Sequence, residues 1–231
     1  VIQHPFENYA KQRNWALSLP EITHDWIINM DADHRATKEL EKELKAKFQQ
    51  GISEDTKGFM LSRRTIFMDK WIKHGGHYPT YHAVMFRKGF GACEQKNYDQ
   101  HFVIDGKAEI LKGDVIDIIT DSLSTFTLRH NKWAQLEAEE VVAEILPQGK
   151  LINANKKGNP MEQRRYLKEK YYSYPIFLRV FIYFFIRYFI KLGFLDGKIG
   201  LIFHFLQGFW FRFLVDCKIY ELQQLKKDGN A

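Results

Sequence analysis

The run Asp25-Trp-Ile-Ile-Asn-Met-Asp-Ala-Asp33 decides the fold of this chain. Its first part is a short apolar run, which is typical of a buried strand. Two acids, Asp31 and Asp33, follow the run at once. In an open α/β sheet, ligands bind beyond the carboxyl ends of the strands. The run therefore predicts an α/β fold with a ligand site at this strand end.

The two acids predict a metal site. Side chains two residues apart in an extended segment point the same way, so Asp31 and Asp33 are expected to face one ligand. Two carboxylates suit a hard divalent cation, Mg²⁺ or Mn²⁺, which in turn binds a diphosphate. Such a cation neutralises the charge that develops on a leaving nucleoside diphosphate. The structural alternative is that Asp33 caps the helix that follows.

An amphipathic helix is predicted directly after the acids. Leu40, Leu44 and Phe48 recur every four residues, and Gly51 is the expected stop. Residues 58–120 are expected to form strands and loops, because apolar residues alternate there and glycines mark turns. The more polar residues that follow are expected to be helical.

The composition limits the partners of the chain. Of its 231 residues, 45% are hydrophobic and 27% are charged, which is enough to bury a core. The net charge of +6 favours anionic partners such as nucleotide sugars or an anionic lipid surface. Nucleic acid is not an expected partner, because no run rich in arginine and lysine carries interleaved aromatic residues.

Two apolar runs, 176–190 and 201–215, stand near the end of the chain. Each is about 15 residues long, shorter than the roughly 20 residues of a bilayer-spanning helix. Polar residues recur four residues apart in each run and form one stripe on a helix. They are Arg179, Tyr183, Arg187 and Lys191 in the first run, and His204, Gly208, Arg212 and Asp216 in the second.

An aromatic face opposite a basic stripe is typical of a helix that lies in the membrane interface. We therefore expect in-plane attachment, with the basic stripe facing anionic headgroups. A buried helical hairpin and a pair of spanning helices are the alternatives. The hairpin would pack on the rest of the chain, and the spanning pair would place arginines near the bilayer centre at a high cost.

Several stretches together resemble a known family. Asn8-Tyr-Ala-Lys-Gln-Arg-Asn-Trp-Ala-Leu17, followed by the run that ends in Asp33, resembles the middle of a family 2 glycosyltransferase. Downstream stretches resemble the bacterial subgroup that builds lipopolysaccharide and exopolysaccharide. They are Gly75-Gly-His-Tyr-Pro79, Met85-Phe-Arg87, Tyr98-Asp-Gln-His-Phe102, Arg129-His-Asn131 and the segment from Gly193 to Asp216.

The resemblance implies a GT-A, Rossmann-like α/β catalytic domain over residues 1–146, and an aromatic-rich, membrane-associating helical extension over 147–231. It implies inverting transfer of a sugar from a nucleotide-sugar donor to a lipid-linked or polysaccharide acceptor. The expected location is the cytoplasmic face of the bacterial inner membrane, with peripheral or monotopic attachment. It also implies an N-terminal part that holds the nucleotide base, so the catalytic domain is expected to be incomplete at Val1.

The resemblance also assigns roles to residues. An inverting transfer needs a base that takes a proton from the acceptor hydroxyl, and Asp99 is the candidate. The glutamate that relatives commonly carry in this region is replaced by Gln100. Arg87 is expected to bind the diphosphate, since a guanidinium forks onto phosphate oxygens; a surface arginine is the alternative. His130 is expected to meet the diphosphate or to pack in the protein.

Acceptor recognition is assigned to three further residues. Trp71 and Tyr78 are expected to stack on a sugar face, and His101 to hold the acceptor, the base or the metal. Core packing is the alternative for each. Arg63 has no assigned role. His34 stands where the family most often has a glutamate, so a third carboxylate is absent from the metal site.

Two other functions stay open. One is a degenerate fragment that binds only a membrane or a partner enzyme. The other is a metal-dependent nucleotidyltransferase or phosphotransferase on a similar sheet.

Overall fold

The structure, a computed structural model, describes residues 2–96, 98–119, 122–143 and 151–228. These residues form two compact units, and the chain is a mixed α/β protein. The described part of unit 1 comprises 2–64, 80–117 without Asn97, and 151–153. The described part of unit 2 comprises 65–79, 118–143 without 120–121, and 154–228. The predicted boundary between residues 146 and 147 lies outside the described residues.

The first elements alternate between helices and strands. They are α1 (Tyr9–Leu17), β1 (Trp26–Ile28), β2 (His34–Ala36), α2 (Lys38–Gln50), β3 (Thr56–Phe67), β4 (Lys70–Trp71), β5 (Tyr81–Arg87), β6 (Gly91–Cys93), β7 (Phe102–Ile104) and β8 (Lys107–Ile119).

The later elements are helical. They are α3 (Leu123–Val142), α4 (Pro160–Tyr172), α5 (Leu178–Phe185), a π-helical segment (Ile186–Ile190), a 3₁₀ turn (Gly193–Asp196), α6 (Gly197–Phe203), a second π-helical segment (His204–Trp210) and α7 (Phe211–Lys227).

The main sheet has the strand order β1-β5-β3-β8-β2, with β4 paired to β3. The pairings β1–β5, β3–β5, β3–β4 and β2–β8 are antiparallel, as is the separate ribbon of β6 and β7. The predicted strand after Asp25 is confirmed as β1. It lies at one end of the strand order, however, and its last residue, Ile28, is 48% exposed, so the expected burial is only partial.

Helix α2 covers the sheet of unit 1. It begins where Thr37 caps it, because the Thr37 hydroxyl accepts a hydrogen bond from the Leu40 N–H at 3.2 Å. Leu40 is buried against β8 at Gly113, where an added Cβ would lie 2.3 Å from the Leu40 Cα. Any larger residue at 113 would push the helix off the sheet. After the helix, Gly51 adopts a φ of +83°, so the predicted helix and its glycine stop are both confirmed.

The core of unit 1 lies between α2 and the sheet. Its buried members come from α2 and from strands β3, β5 and β8, and each buried Leu, Val, Met or Phe side chain contributes about 1.5–3 kcal/mol. They are Leu40, Phe59, Leu61, Val84, Met85, Leu111 and Val115.

Unit 2 is organised around α3, which packs along α7. A second apolar cluster comprises Phe67, Ile72, Phe126 and Phe203. Polar contacts fix the pairing of the two helices: the Arg212 guanidinium donates to both oxygens of the buried Glu137 carboxylate at 3.0 Å. Glu137 also accepts a hydrogen bond from the Tyr172 hydroxyl at 2.7 Å and forms an ion pair with Lys168 at 3.0 Å.

The C-terminal helices turn their polar stripes toward the interior of unit 2. Arg179 Nε lies 2.9 and 3.1 Å from the two carboxylate oxygens of Asp216, and both residues are buried. Arg187 donates from Nε to the Gly75 carbonyl at 2.8 Å. The stripes are confirmed, but the prediction that they face headgroups is wrong for Arg179 and Arg187, which are buried, whereas Lys191 at the end of the first stripe is exposed. The guanidinium groups of Arg179 and Arg187 are buried and hydrogen-bond to acceptors inside the protein.

The buried histidine of α3 makes the stability of unit 2 sensitive to acid. Burial holds the pKa of His130 below its ordinary value, so the ring is neutral near pH 7. The unfolded chain binds a proton below about pH 6.5 that the folded chain does not bind, and stability falls in that window. We expect the urea midpoint, followed by far-ultraviolet circular dichroism, to fall between about pH 7 and pH 5. The variant His130→Gln should show a smaller fall.

An exposed histidine provides the control for this experiment. His24 is exposed, so His24→Gln should keep the pH dependence of the wild type. A His130→Gln variant whose midpoint changes as steeply as that of the wild type would show that burial of this ring is not the cause.

Candidate functional site

The acids after β1 are gathered by a tight turn. The His34 N–H donates to the Asp31 carbonyl at 3.0 Å, so the chain reverses here and does not continue extended as the sequence predicted. The turn still groups the side chains, because one ligand atom from each of Asp31, Asp33 and His34 lies within 4.8 Å of the others. Asp33 does not cap α2, since Thr37 holds that position.

The histidine of this turn is a poor first ligand. His34 is buried, and its Nδ1 accepts a hydrogen bond from the Asp31 N–H at 3.2 Å. Burial lowers the pKa of His34, and the nearby Arg63 lowers it further, so the ring is neutral with its hydrogen on Nε2. Coordination through Nε2 would require that hydrogen to leave. The carboxylates would therefore be the primary ligands of a bound cation, since oxygen ligands are those that Mg²⁺ and Mn²⁺ prefer.

An arginine of α1 contacts the turn and the small ribbon. Arg13 Nη2 donates to Asp31 Oδ1 at 2.6 Å, and the Arg13 guanidinium carbon lies 5.5 Å from the centre of the Phe102 ring. The helix is fixed in place by Asn14, whose side-chain amide bonds both the N–H and the carbonyl of Cys93 at 2.8 and 2.9 Å. Sequence reasoning gave these two residues no role, although both stand in the stretch that carries the resemblance.

A histidine between two carboxylates lies just before β7. His101 Nε2 lies 3.7 Å from Asp99 Oδ1, and His101 Nδ1 lies 3.5 Å from Glu94 Oε2. Glu94 is fully buried and accepts hydrogen bonds from the N–H groups of His101 and Ile152 at 3.2 and 3.3 Å. Asp99 has a φ of +53°, a left-handed conformation that is uncommon for residues other than glycine. Sequence analysis had assigned no role to Glu94.

The two groups of residues lie at the same end of the sheet. The His101 ring stacks on His82, with centroids 5.6 Å apart and an angle of 8° between planes. In β5, Val84 accepts a hydrogen bond from Asn29 N–H at 2.8 Å, so His82 lies near the start of β5 beside the turn that carries Asp31. The candidate cation site and the candidate base thus both lie near the start of β5.

Arg87 lies at the other end of β1. It pairs with Trp26, its guanidinium carbon is 4.7 Å from the Trp26 ring, and its Nε donates to the Thr56 carbonyl at 3.1 Å. Asp31 lies three residues beyond Ile28, the last residue of β1. The diphosphate role of Arg87 stays a prediction.

Arg63 supplies a guanidinium near the turn. Its charge lowers the pKa of His34, and its Nη1 lies 3.5 Å from Asp117 Oδ2. Asp117 in β8 is the register partner of His34 in β2. Arg63 therefore lies near His34 and is a second candidate for binding a diphosphate at this turn.

Three predicted site residues belong to unit 2. His130 has both ring nitrogens in hydrogen bonds at 2.7 Å, to the Phe126 carbonyl and the Gln207 side chain. These contacts are those of the packing alternative, and the diphosphate role of His130 stays a prediction. Trp71 and Tyr78 are half-buried and contact each other edge to face, with ring centroids 5.0 Å apart. Their acceptor role stays a prediction.

Comparison with protein-family models gives no match to this chain. The function is therefore argued from the arrangement of the side chains in unit 1.

Proposed function

We propose that the chain is a GT-A type, family 2 glycosyltransferase that transfers a sugar with inversion. Asp31 and Asp33 would hold Mg²⁺ or Mn²⁺, which when bound neutralises the diphosphate of a nucleotide-sugar donor. Arg63 would donate hydrogen bonds to the same diphosphate. Asp99 would take the proton of the acceptor hydroxyl.

The grouping of Asp31, Asp33 and His34 within 4.8 Å carries this proposal. Both aspartates are exposed, so a cation and its water ligands can reach them from solvent. Arg13 lies against Asp31 and provides a positive charge that a bound cation would have to displace or share. This arrangement favours a site that is loaded together with an anionic substrate, since the diphosphate would compensate the added positive charge.

The residues around His101 support the assignment of a base. A carboxylate that accepts a proton needs a fixed direction and a partner that stabilises its charge. His101 supplies the partner for Asp99, and the buried Glu94 holds the opposite side of the ring. Glu94 accepts hydrogen bonds from backbone N–H groups, so we assign it a positioning role.

The substrate class follows the sequence resemblance. A nucleotide sugar would be the donor, and a lipid-linked or polysaccharide glycan of the cell envelope the acceptor. Transfer would take place at the cytoplasmic face of the bacterial inner membrane. Trp71 and Tyr78 remain the proposed residues for stacking on an acceptor sugar.

Metal binding tests the proposal directly. We expect Mn²⁺ to bind the chain with a change in its paramagnetic resonance signal, and to support release of nucleoside diphosphate from one member of a nucleotide-sugar panel. Asp31→Asn and Asp33→Asn should each weaken Mn²⁺ binding at least about 10-fold, since even residues that only support a metal ligand are worth about that much. Turnover should be lost in EDTA.

The matched control is Asp55→Asn, an exposed acid of a turn in the same unit. It should leave Mn²⁺ binding unchanged. Normal Mn²⁺ affinity in both site variants would remove the metal assignment. A transferred phosphate or nucleotide in place of a sugar would point to the phosphotransferase alternative.

A further inference from the structure

The C-terminal hairpin of unit 2 has an outward face made of large apolar side chains. On α5 and the π-helical segment after it, the exposed residues recur at intervals of three and four, which places them on one side of the helix. They are Leu178, Phe181, Ile182, Phe185, Ile186, Phe189 and Ile190, and Ile190 is 65% exposed. The second helix exposes Leu201, Phe205 and Phe213, which are spaced by four and eight residues and so share one side of the helix.

Ring contacts join the two helices into one surface, here called the aromatic face and comprising these exposed residues together with Phe209. Phe209 lies 5.1 Å from Phe181 across the hairpin, and 5.4 and 6.0 Å from Phe205 and Phe213 along its own helix. The aromatic face is therefore continuous, and large continuous apolar patches mark interaction sites.

The distribution of polar and apolar side chains on the hairpin is the reverse of that on a surface helix of a water-soluble protein. Its ionisable groups point inward, where Arg179 pairs with Asp216 and Arg212 with Glu137. Its apolar side chains point outward. Such an arrangement suits an outer environment that is less polar than water.

The exposed charges of the hairpin are cationic. Lys191 and Lys198 are exposed and flank the turn between the helices, beside the exposed Leu192, Phe194 and Leu195. The one acid in the sequence between residues 174 and 215, Asp196, is buried and bonds His74 N–H at 2.9 Å. Apolar side chains next to cations, without exposed anions, complement a bilayer that carries anionic lipids.

One side of the hairpin is covered by protein. Among the described residues, one helix, Gly193–Lys227, is long and apolar enough to cross a bilayer, but length and composition alone are weak evidence. Along this helix, α3 packs through His130 on Gln207 and Gln135 on Lys218. The outer side of α3 exposes Lys132 and Glu139. Lipid would thus meet only one face of the hairpin, and that geometry favours a position in the plane of the interface over a span.

We propose that the aromatic face is a membrane-docking surface that inserts into the acyl region of one leaflet, with Lys191 and Lys198 on the anionic headgroups. The ion-paired stripes form its protein-facing back. This inference stands apart from the proposed sugar transfer, because it rests on unit 2 and needs no metal or donor.

Vesicle binding tests the docking surface. We expect the chain to co-sediment with vesicles of phosphatidylethanolamine and phosphatidylglycerol, and more weakly with vesicles of phosphatidylcholine alone. Phe185→Ser and Ile190→Ser should each lower the partition coefficient about 10-fold, since each removes one large apolar side chain from the buried contact. Because both side chains are exposed, the variants should keep the circular dichroism spectrum and unfolding midpoint of the wild type.

Leu128→Ser provides the matched control. Leu128 is an exposed apolar residue of α3, outside the aromatic face, so this variant should bind vesicles like the wild type. If Phe185→Ser and Ile190→Ser bind vesicles as strongly as Leu128→Ser and the wild type, the proposal is overturned. Failure of the wild-type chain to bind vesicles would also overturn it. In that case, self-association that Phe185→Ser abolishes would identify a second copy of the chain as the occupant.

Depth of insertion distinguishes docking from spanning. Trp210 is the one tryptophan of the hairpin, so quenching by brominated lipids that disappears in Trp210→Phe reports its depth. We expect the strongest quenching from bromines near the headgroup end of the acyl chain. Maximal quenching from bromines at the bilayer centre would show that the hairpin spans, contrary to the proposal.

Discussion

Asp216→Ala is expected to destabilise unit 2 by about 3–5 kcal/mol, because it leaves the buried Arg179 without its counter-charge. Asp216 is fully buried, and its two oxygens accept from the Arg179 guanidinium. Its Oδ2 also accepts from the Phe177 N–H at 2.7 Å, at the start of α5, where Phe177 itself provides no side-chain cap. The measurement is urea unfolding followed by circular dichroism at the helix band.

Replacing both partners provides the control for this variant. In Arg179→Met with Asp216→Leu, no charge is buried, and such exchanges are often neutral or stabilising. We expect the double variant to recover most of the stability lost in Asp216→Ala. A single variant that unfolds within about 1 kcal/mol of the wild type would show that the pair is not a buried ion pair in solution.

Local sequence patterns predicted helices and their polar stripes but not whether those stripes point into the protein or toward solvent. The spacing of Leu40, Leu44 and Phe48 and the stop at Gly51 gave α2 correctly, because a helix and its caps depend on residues close in sequence. The polar stripes of the C-terminal helices were also read correctly from their spacing. Their inward direction was not, since it depends on distant partners such as Asp216 and Glu137 that no periodicity reveals.

The candidate site was predicted in its metal part and missed in its surroundings. Asp31 and Asp33 are neighbours in sequence, so their grouping needed only a strand followed by a loop. The position of Arg63 beside the turn depends on strand register, which pairs Trp26 with Arg87 and His34 with Asp117. Register is set by the packing of a whole face of the sheet, so it could not be predicted from local patterns in the sequence.

Asp99→Asn is expected to lower the rate of sugar transfer by about 100- to 10,000-fold, the range that a positioned acid or base contributes. The substitution keeps the size of the side chain and removes its ability to take a proton. Mn²⁺ affinity should not change, because Asp31 and Asp33 supply the metal ligands. The rate is measured as nucleoside diphosphate released per minute in the presence of Mn²⁺, with the wild-type chain assayed in parallel.

The control for this variant is Asp105→Asn, an exposed acid that follows β7 and should leave the rate unchanged. Glu94→Gln distinguishes the base from its support. Since Glu94 is buried and bonded to backbone N–H groups, its loss should disturb His101 and lower the rate less than Asp99→Asn does. A full rate in Asp99→Asn together with a large loss in Glu94→Gln would move the base to the buried carboxylate.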